Sequence, residues 1–152
     1  MKPRLKRLGR LYKDYPVYFI TACTHDRQRV LANHEIHQAF SSFALAGEER
    51  HVFMGRYVLM PDHFHCFVVF GLDSEQKLPF WMKSLKNCLS KTLRRRGVSA
   101  PHWQKGFFDH VLRSGESHAE KSEYVRENPV RAGLVKTSED WPYQGQFHPL
   151  TF

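Results

Sequence analysis

Length, composition and charge exclude several classes of protein. The chain has 152 residues, of which 41% are hydrophobic and 25% charged, as in globular proteins rather than disordered or fibrous ones. Its 23 Lys and Arg against 15 Asp and Glu give a net charge of +8, which points to a polyanionic partner such as nucleic acid. The longest apolar run, Cys66 to Leu72, is far shorter than the roughly 20 residues that cross a bilayer, so we expect no membrane span.

The first half of the chain predicts a strand, a helix and a hairpin. Tyr15 to Thr24 is rich in β-branched and aromatic residues, which favours a strand. A helix should follow the N-cap Asn33, because apolar residues then recur at helical spacing; they are Ile36, Phe40, Phe43, Ala44 and Gly47. His51 to Met60 and His63 to Phe70 predict two antiparallel strands joined by a turn.

The second half predicts two helices separated by a strand. The first should run from Leu78 to about Arg96 and stop at Gly97. Phe107 to Ser114 alternates as a fourth strand, and a capping box at Ser117 predicts a third helix that ends at Pro129. The order βαββαβ is that of the ferredoxin-like split βαβ fold, so we predict an α+β protein with one additional C-terminal helix.

The domain organisation is predicted to be simple. No repeat, low-complexity tract or linker divides the sequence, so we expect one domain over 1–152. Within it, 1–14 is a basic N-terminal arm and 136–152 is a C-terminal tail. The three cysteines are an odd number without CxxC spacing, which favours a reducing compartment over a disulfide framework.

The candidate chemistry starts from a pair of histidines. His63 and His65 are two apart on a predicted strand, so both imidazoles project to one side, while Phe64 faces the helices. Such a pair can chelate a cation, although half-exposed histidines are also common on sheets. Tyr124 and Asn128 lie four apart on the third helix and share a face, where Tyr is ordinarily a packing residue and Asn before Pro a turn former.

Taken together, these residues resemble a known family. The chain resembles the HUH-type single-tyrosine transposases, and within them the REP-associated tyrosine transposases, over most of its length. The resemblance rests on the segments YFIT at 18–21, VLMPDHFH at 58–65, WQKGFFDH at 103–110, YVRENPVRAGLV at 124–135 and DWPY at 140–143. One position departs from the family, which usually has Asn where this chain has Asp62; the effect of the added negative charge is left open.

The resemblance implies a function and a set of roles. Tyr124 would be the nucleophile, His63 and His65 metal ligands and Asn128 a third ligand, with Mg²⁺ or Mn²⁺ as the metal. The enzyme would cleave and rejoin single-stranded DNA at hairpin sites through a 5′-phosphotyrosine intermediate. It would be a cytoplasmic, nucleoid-associated bacterial protein that acts as a monomer or a homodimer, with a weak preference for the monomer.

Basic residues are the candidates for DNA contacts. They lie in the arm, on the second helix and at the end of the fourth strand: Arg4, Lys6, Arg7, Lys83, Lys86, Arg94, Arg95, Arg96 and Arg113. Those on the helix also fit an ordinary solvated face. Trp103, Phe107 and Trp141 could stack on bases, although core packing is the expected role of each.

Two other functions compete with the transposase. The chain could be a domesticated protein that binds hairpin DNA but has little or no transposition activity. Alternatively, it could be a zinc hydrolase in which His63, His65 and another residue such as His110 hold the metal and activate water, and in which Tyr124 is dispensable.

Overall fold

The fold is an antiparallel sheet with helices on both faces. The computed structural model describes residues 15–71, 77–112 and 115–150. Its strands are β1 (Val17–Cys23), β2 (Val52–Leu59), β3 (His63–Phe70), β4 (Phe108–Leu112) and β5 (Gln144–Gln146). Its helices are α1 (His34–Ala46), α2 (Leu78–Arg95) and α3 (Gly115–Arg131). The strand order β4-β1-β3-β2-β5, antiparallel throughout, confirms the predicted α+β architecture and extends it by one strand.

Helices α1 and α2 begin and end where their sequences predict. The Asn33 side chain accepts a hydrogen bond of 3.0 Å from the Ile36 amide, as an N-cap should. Helix α2 has proline in its first turn and is followed by Gly97, whose φ of 83° lies in the left-handed region where glycine is unstrained. Both helices therefore keep the positions that the hydrophobic pattern assigns to them.

The two faces of the sheet carry separate hydrophobic cores. Strand β3 sends Phe64, Cys66 and Val68 into the core beneath α1 and α2. It sends Phe67 and Val69 into the opposite core, to which α3 contributes Val125. Because side chains alternate along a strand, His63 and His65 lie on the α3 face, and the predicted direction of Phe64 is confirmed.

The predicted limits of α3 were wrong at both ends. The helix already includes Gly115, so the capping box at Ser117 is not its start. It also continues past Pro129 to Arg131. In the last turn, the Leu134 amide donates to the Pro129 carbonyl and the Gly133 amide donates to the Val130 carbonyl. With Gly133 at φ 75°, these bonds form a Schellman motif, which sets the end of the helix more strongly than the proline.

The C-terminal tail completes the sheet and one core. Strand β5, which the sequence did not predict, pairs with β2 and places Gln144 opposite Val58. Trp141 is buried, and its indole N–H donates to the Leu59 carbonyl at 3.0 Å. The predicted core role of Trp141 is thus confirmed. In the part of the chain that the structure describes, no helix is both long and apolar enough to span a membrane.

Candidate active site

The site is built on the central strand β3. The rings of His63 and His65 have centroids 4.9 Å apart and an interplanar angle of 77°. His65 is only 8% exposed because its ring stacks on Phe19 of β1 at 5.3 Å. Strand alternation brings the two imidazoles together, and the neighbouring strand fixes the inner one.

Each histidine uses its Nδ1 atom in a contact with the protein. His65 Nδ1 lies 2.8 Å from the hydroxyl oxygen of Thr21, the residue that pairs with it across β1 and β3. His63 Nδ1 lies 2.7 Å from Oδ1 of Asp62. These contacts leave Nε2 of both rings as the atom with which a cation can be bound.

The environment keeps His65 neutral. Burial, helped by the positive charges of Arg131 and Lys121 and by His63, lowers the pKa of His65 to about 3. At neutral pH this imidazole therefore carries no charge. A neutral imidazole has the free lone pair that a metal ligand requires.

Helix α3 brings Tyr124 to the histidines. The Tyr124 ring centroid is 6.5 Å from that of His65, and the side chain is 52% exposed. The Arg131 guanidinium lies over the Tyr124 ring, 3.8 Å from its centroid, and also donates a hydrogen bond to the Tyr124 carbonyl. The phenol is therefore open to a ligand on one side and covered by a cation on the other.

The remaining residues of this helix face follow a regular spacing. Lys121, Tyr124, Asn128 and Arg131 are three, four and three residues apart, so they form one stripe along α3. The Lys121 ammonium lies 5.4 Å from the Phe19 ring centroid, next to the buried histidine. Asn128 is half-buried one turn beyond Tyr124. The structure thus joins Tyr124 with His65 by direct ring contact and places Asn128 on the same stripe.

Acidic residues on the outer side of α3 are held by another partner. Glu123 and Glu127 border the open groove beside Tyr124. Arg126 forms ion pairs with both, at 3.0 Å and 3.2 Å. Arg126 offsets only part of their charge, because it also pairs with Glu139 at 3.4 Å, and Glu120 lines the same groove. The approach to Tyr124 therefore carries carboxylates on the outer side of α3 and the cations Lys121 and Arg131 on the side of the histidines.

The predicted DNA contacts on α2 lie on the other face of the sheet. Helix α2 packs on the core that Phe64 enters, whereas the histidines face α3. Lys83 and Arg94 are exposed, but the Lys86 ammonium donates to the carbonyls of Gln104 and Gly106 and lies over the Trp103 ring. Burial lowers the pKa of Lys86. The Lys86 ammonium is therefore held by the loop that contains Gln104 and Gly106, whereas Lys83 and Arg94 are exposed.

Other candidates are partly paired or lie outside the described residues. Arg96 forms a 2.8 Å ion pair with Glu35, and Arg95 donates to the Thr92 hydroxyl. Trp103 and Phe107 are half-buried against the core of α1 and α2, in line with the packing role expected of them. The structure does not describe Arg4, Lys6, Arg7 and Arg113.

Sequence reasoning missed three cations of the site. Arg131 and Lys121 share the helix face of Tyr124, and their spacing alone could have revealed them. Arg27 donates from Nε to Asp62 Oδ2 at 2.9 Å. No pattern signals that contact, because the two partners are 35 positions apart and meet only through a turn with positive φ at Arg27.

The donor atoms present fit a divalent metal of the manganese type. Two imidazoles and an amide oxygen are a mixed set that Mn²⁺ accepts more readily than Mg²⁺. Within 15–71, 77–112 and 115–150, no three His, Cys, Asp or Glu residues cluster as a metal site. The zinc hydrolase alternative would use a third ligand such as His110. In the sheet, His110 pairs with Phe19 of β1, two residues along that strand from Thr21, which pairs with His65.

Fold and site together define a class. An antiparallel sheet with a histidine pair on its central strand, faced by one tyrosine on a helix, is the arrangement of a HUH-type single-tyrosine protein. The family model described as Transposase IS200 like matches residues 15–128, and the chain belongs to this family.

Similar proteins narrow the resemblance to one branch. The REP-associated tyrosine transposase of Escherichia coli K12 is 22% identical over 139 residues, covering 91% of this chain and 81% of the relative. A protein of Haemophilus influenzae whose name also refers to the REP-associated tyrosine transposases is 25% identical over 141 residues. The match covers 87% of this chain and 80% of that protein. The resemblance to the REP-associated branch is thereby confirmed.

A solved structure shares the fold. A REP-associated tyrosine transposase bound to a REP hairpin superposes with a TM-score of 0.69 at 21% identity. The match covers 85% of this chain and 75% of the other.

Proposed function

We propose that this chain is a metal-dependent endonuclease and strand transferase that acts on single-stranded DNA at hairpin sites. Tyr124 is the nucleophile, and His63, His65 and Asn128 hold the metal. The observation that carries the proposal is the placement of Tyr124 beside His65, with 6.5 Å between the ring centroids, although the two residues are 59 positions apart in the sequence. Membership of a transposase family supports the same assignment.

The surroundings of Tyr124 suit a phosphodiester. The exposed phenol lies between the His65 ring and the Arg131 guanidinium, and Lys121 extends the positive charge toward β1. A guanidinium presents several N–H donors in a fork that matches phosphate oxygens. The backbone of one DNA strand can therefore be held against Tyr124 by groups that also offset the charge of its transition state.

The reaction exchanges one bond for another of the same kind. The Tyr124 phenolic oxygen forms a bond to phosphorus and gives up its proton, while the bond from phosphorus to the 3′ oxygen breaks. The departing oxygen takes a proton and becomes a free 3′-OH, and the 5′ end stays on Tyr124. The bond energy is conserved, so the reverse attack by a 3′-OH can rejoin strands without ATP.

The histidines and Asn128 contribute as ligands. Neutral His65, His63 and the Asn128 amide would bind Mn²⁺ or Mg²⁺ on the side of the sheet that faces Tyr124. A bound metal ion supplies Lewis-acid polarisation of the scissile phosphate.

Hairpin DNA is the proposed partner. The net charge of +8 favours a polyanion, and the similar solved structure is that of a transposase bound to a REP hairpin. Because Lys83 and Arg94 lie on the α2 face and Tyr124 on the α3 face, a DNA that contacts both must pass around an edge of the sheet. Single-stranded segments next to a hairpin have the flexibility to do so.

An adduct assay tests the proposal. A labelled hairpin oligonucleotide with single-stranded flanks is incubated with protein and Mn²⁺, and covalent protein–DNA adducts are resolved on a denaturing gel. We expect an adduct from the native chain and none from Tyr124→Phe. Tyr18→Phe is the matched control, since Tyr18 lies on the opposite face and packs edge-on against Phe70.

The same assay separates the rival functions. Hairpin binding without an adduct, in Mn²⁺ or Mg²⁺, would leave a binding protein without cleavage activity and overturn the catalytic proposal. Cleavage that survives Tyr124→Phe would instead support the zinc hydrolase, in which a metal-activated water replaces the phenol.

A further inference from the structure

Asp62 is held by hydrogen bonds to three other residues, His63, Arg27 and Thr24. One oxygen of its carboxylate lies 2.7 Å from Nδ1 of His63, and the other accepts a hydrogen bond of 2.9 Å from Nε of Arg27. Its backbone carbonyl accepts from the amide and the hydroxyl of the buried Thr24, at 3.0 Å and 3.1 Å. Neither the backbone nor the side chain of Asp62 is free to turn away from His63.

Arg27 reaches Asp62 through an unusual turn. Asp26 and Arg27 follow each other with φ values of 53° and 55°, in the left-handed region that non-glycine residues seldom adopt. The Arg27 guanidinium bonds the Asp62 carboxylate through Nε and lies 3.1 Å from the Cys23 sulfur through another nitrogen. The turn therefore aims a cation at the oxygen of Asp62 that His63 does not use.

The contact determines which nitrogen of His63 carries the proton. A carboxylate accepts hydrogen bonds but cannot donate them, so Nδ1 of His63 must bear a hydrogen. In the neutral form of an imidazole, Nε2 then keeps the lone pair. His65 differs, because its partner is the Thr21 hydroxyl, which can either donate or accept.

We propose that Asp62, oriented by Arg27, is a positioning residue that fixes the Nδ1–H tautomer of His63 and turns Nε2 toward the metal. The inference rests on the proposed function, because it concerns the same metal site. Carboxylate–histidine–metal triads of this kind orient the imidazole and increase its basicity. The negative charge also opposes the cations Arg131 and Lys121, which repel a metal from His65.

Two measurements test the role of Asp62. Long-range proton–nitrogen correlation spectra of the metal-free protein report the tautomer of each histidine, and the His63 signal is the one missing from His63→Ala. Titration calorimetry with Mn²⁺ alone reports affinity. We expect an Nδ1–H tautomer in the native chain, its loss in Asp62→Ala, and an affinity for Mn²⁺ about 10- to 100-fold lower in that variant.

Two further variants separate position from charge. Asp62→Asn keeps an oxygen that can accept from Nδ1 but removes the charge, so it should keep the tautomer and lose less affinity than Asp62→Ala. Asp26→Asn is the matched control, because it removes the same charge from the adjoining turn at an exposed position whose backbone suits Asn. This control should retain both tautomer and affinity.

Three results would overturn the inference. They are an Nε2–H tautomer of His63 in the native chain, equal losses of affinity in Asp62→Ala and Asp62→Asn, and an Asp62→Ala affinity equal to that of Asp26→Asn. If Asp62→Ala does not fold, the tautomer of His63 in the native chain and in Asp62→Asn decides whether the inference holds. A native chain that binds no Mn²⁺ would instead refute the metal site of the proposed function. The tautomer spectra need no metal, so they test the contact of Asp62 with His63 separately.

Discussion

At the scale of single residues, the site combines the neutral imidazole of His65 with guanidinium and ammonium groups. His65 is buried and uncharged, whereas α3 presents the Arg131 guanidinium and the Lys121 ammonium beside it. Burial removes water from the imidazole but leaves the cations hydrated, which is why the same site can present both a lone pair and positive charge. Two predictions follow from this division.

Arg131 should matter more for cleavage than for folding. Its guanidinium covers the Tyr124 ring at 3.8 Å from the centroid, where it can reach a phosphate held for attack. We expect Arg131→Ala to slow adduct formation on the order of 10²-fold, as loss of a transition-state donor does elsewhere. The rate under single-turnover conditions measures this. Arg50→Ala, which removes an exposed arginine beyond α1, should leave the rate unchanged; equal effects in both variants would contradict the role of Arg131.

His65 should make the fold sensitive to acid. Its pKa is about 3 in the folded chain against 6.5 for an ordinary imidazole, so between these values the unfolded chain binds a proton that the folded chain does not. Stability therefore falls as pH falls from 6.5 toward 3. We expect the free energy of unfolding of His65→Gln, measured in urea, to decline less over this range than that of the native chain. His110→Gln, at an exposed position of β4, should decline as the native chain does.

At the scale of elements, the end of α3 is defined by backbone geometry rather than by the proline before it. Pro129 lies in the last turn, where it removes one amide donor but leaves its own carbonyl to accept from Leu134. Gly133 then adopts φ 75°, a conformation that an L side chain resists. Arg131 is fixed beside Tyr124 by the same final turn, so this motif also shapes the site.

Gly133→Ala should destabilise the protein through this conformation alone. A Cβ at Gly133 would meet no atom within 4 Å, so backbone strain is its main effect. We expect the free energy of unfolding to fall by about 1–2 kcal/mol. Gly133→Asn is the matched control, since Asn tolerates the left-handed region, and it should lose clearly less stability. Equal losses in urea unfolding would mean that strain at this residue is not the cause.

At the scale of the whole molecule, one chain holds both halves of the site. The His65 and Tyr124 rings that lie 6.5 Å apart belong to the same polypeptide. The C-terminal tail also packs on the same chain, because β5 pairs with the edge of β2 and Trp141 fills the core beneath α3. We propose on this basis that the tyrosine acts beside the histidines of its own chain.

A complementation experiment tests that arrangement. Tyr124→Phe and His65→Ala are each expected to form no adduct with the hairpin oligonucleotide. If each tyrosine acts with its own histidines, a mixture of the two variants has no intact site and should also form none. An adduct in the mixture would require a dimer that exchanges α3, and light scattering with and without DNA would then show two chains. The native chain alone provides the positive control.

Part of this protein is determined by its sequence alone. Alternation along β3 puts His63 and His65 on one face, and helical spacing puts Tyr124 and Asn128 on one face of α3. The N-cap at Asn33 and the glycine after α2 set helix ends through contacts within a few residues. These predictions succeed because the interactions that decide them are local.

Tertiary structure decided the rest, because the remaining contacts join distant parts of the chain. The ring contact of Tyr124 with His65 spans 59 positions, and the Arg27 bond to Asp62 spans 35. Strand β5 has only three residues and no pattern of its own, so its pairing depends on the free edge of β2. Local conformational preference determines which helices and strands form and which residues share a face. Only tertiary packing determines which faces meet, and the contact between Arg27 and Asp62 depends on that packing.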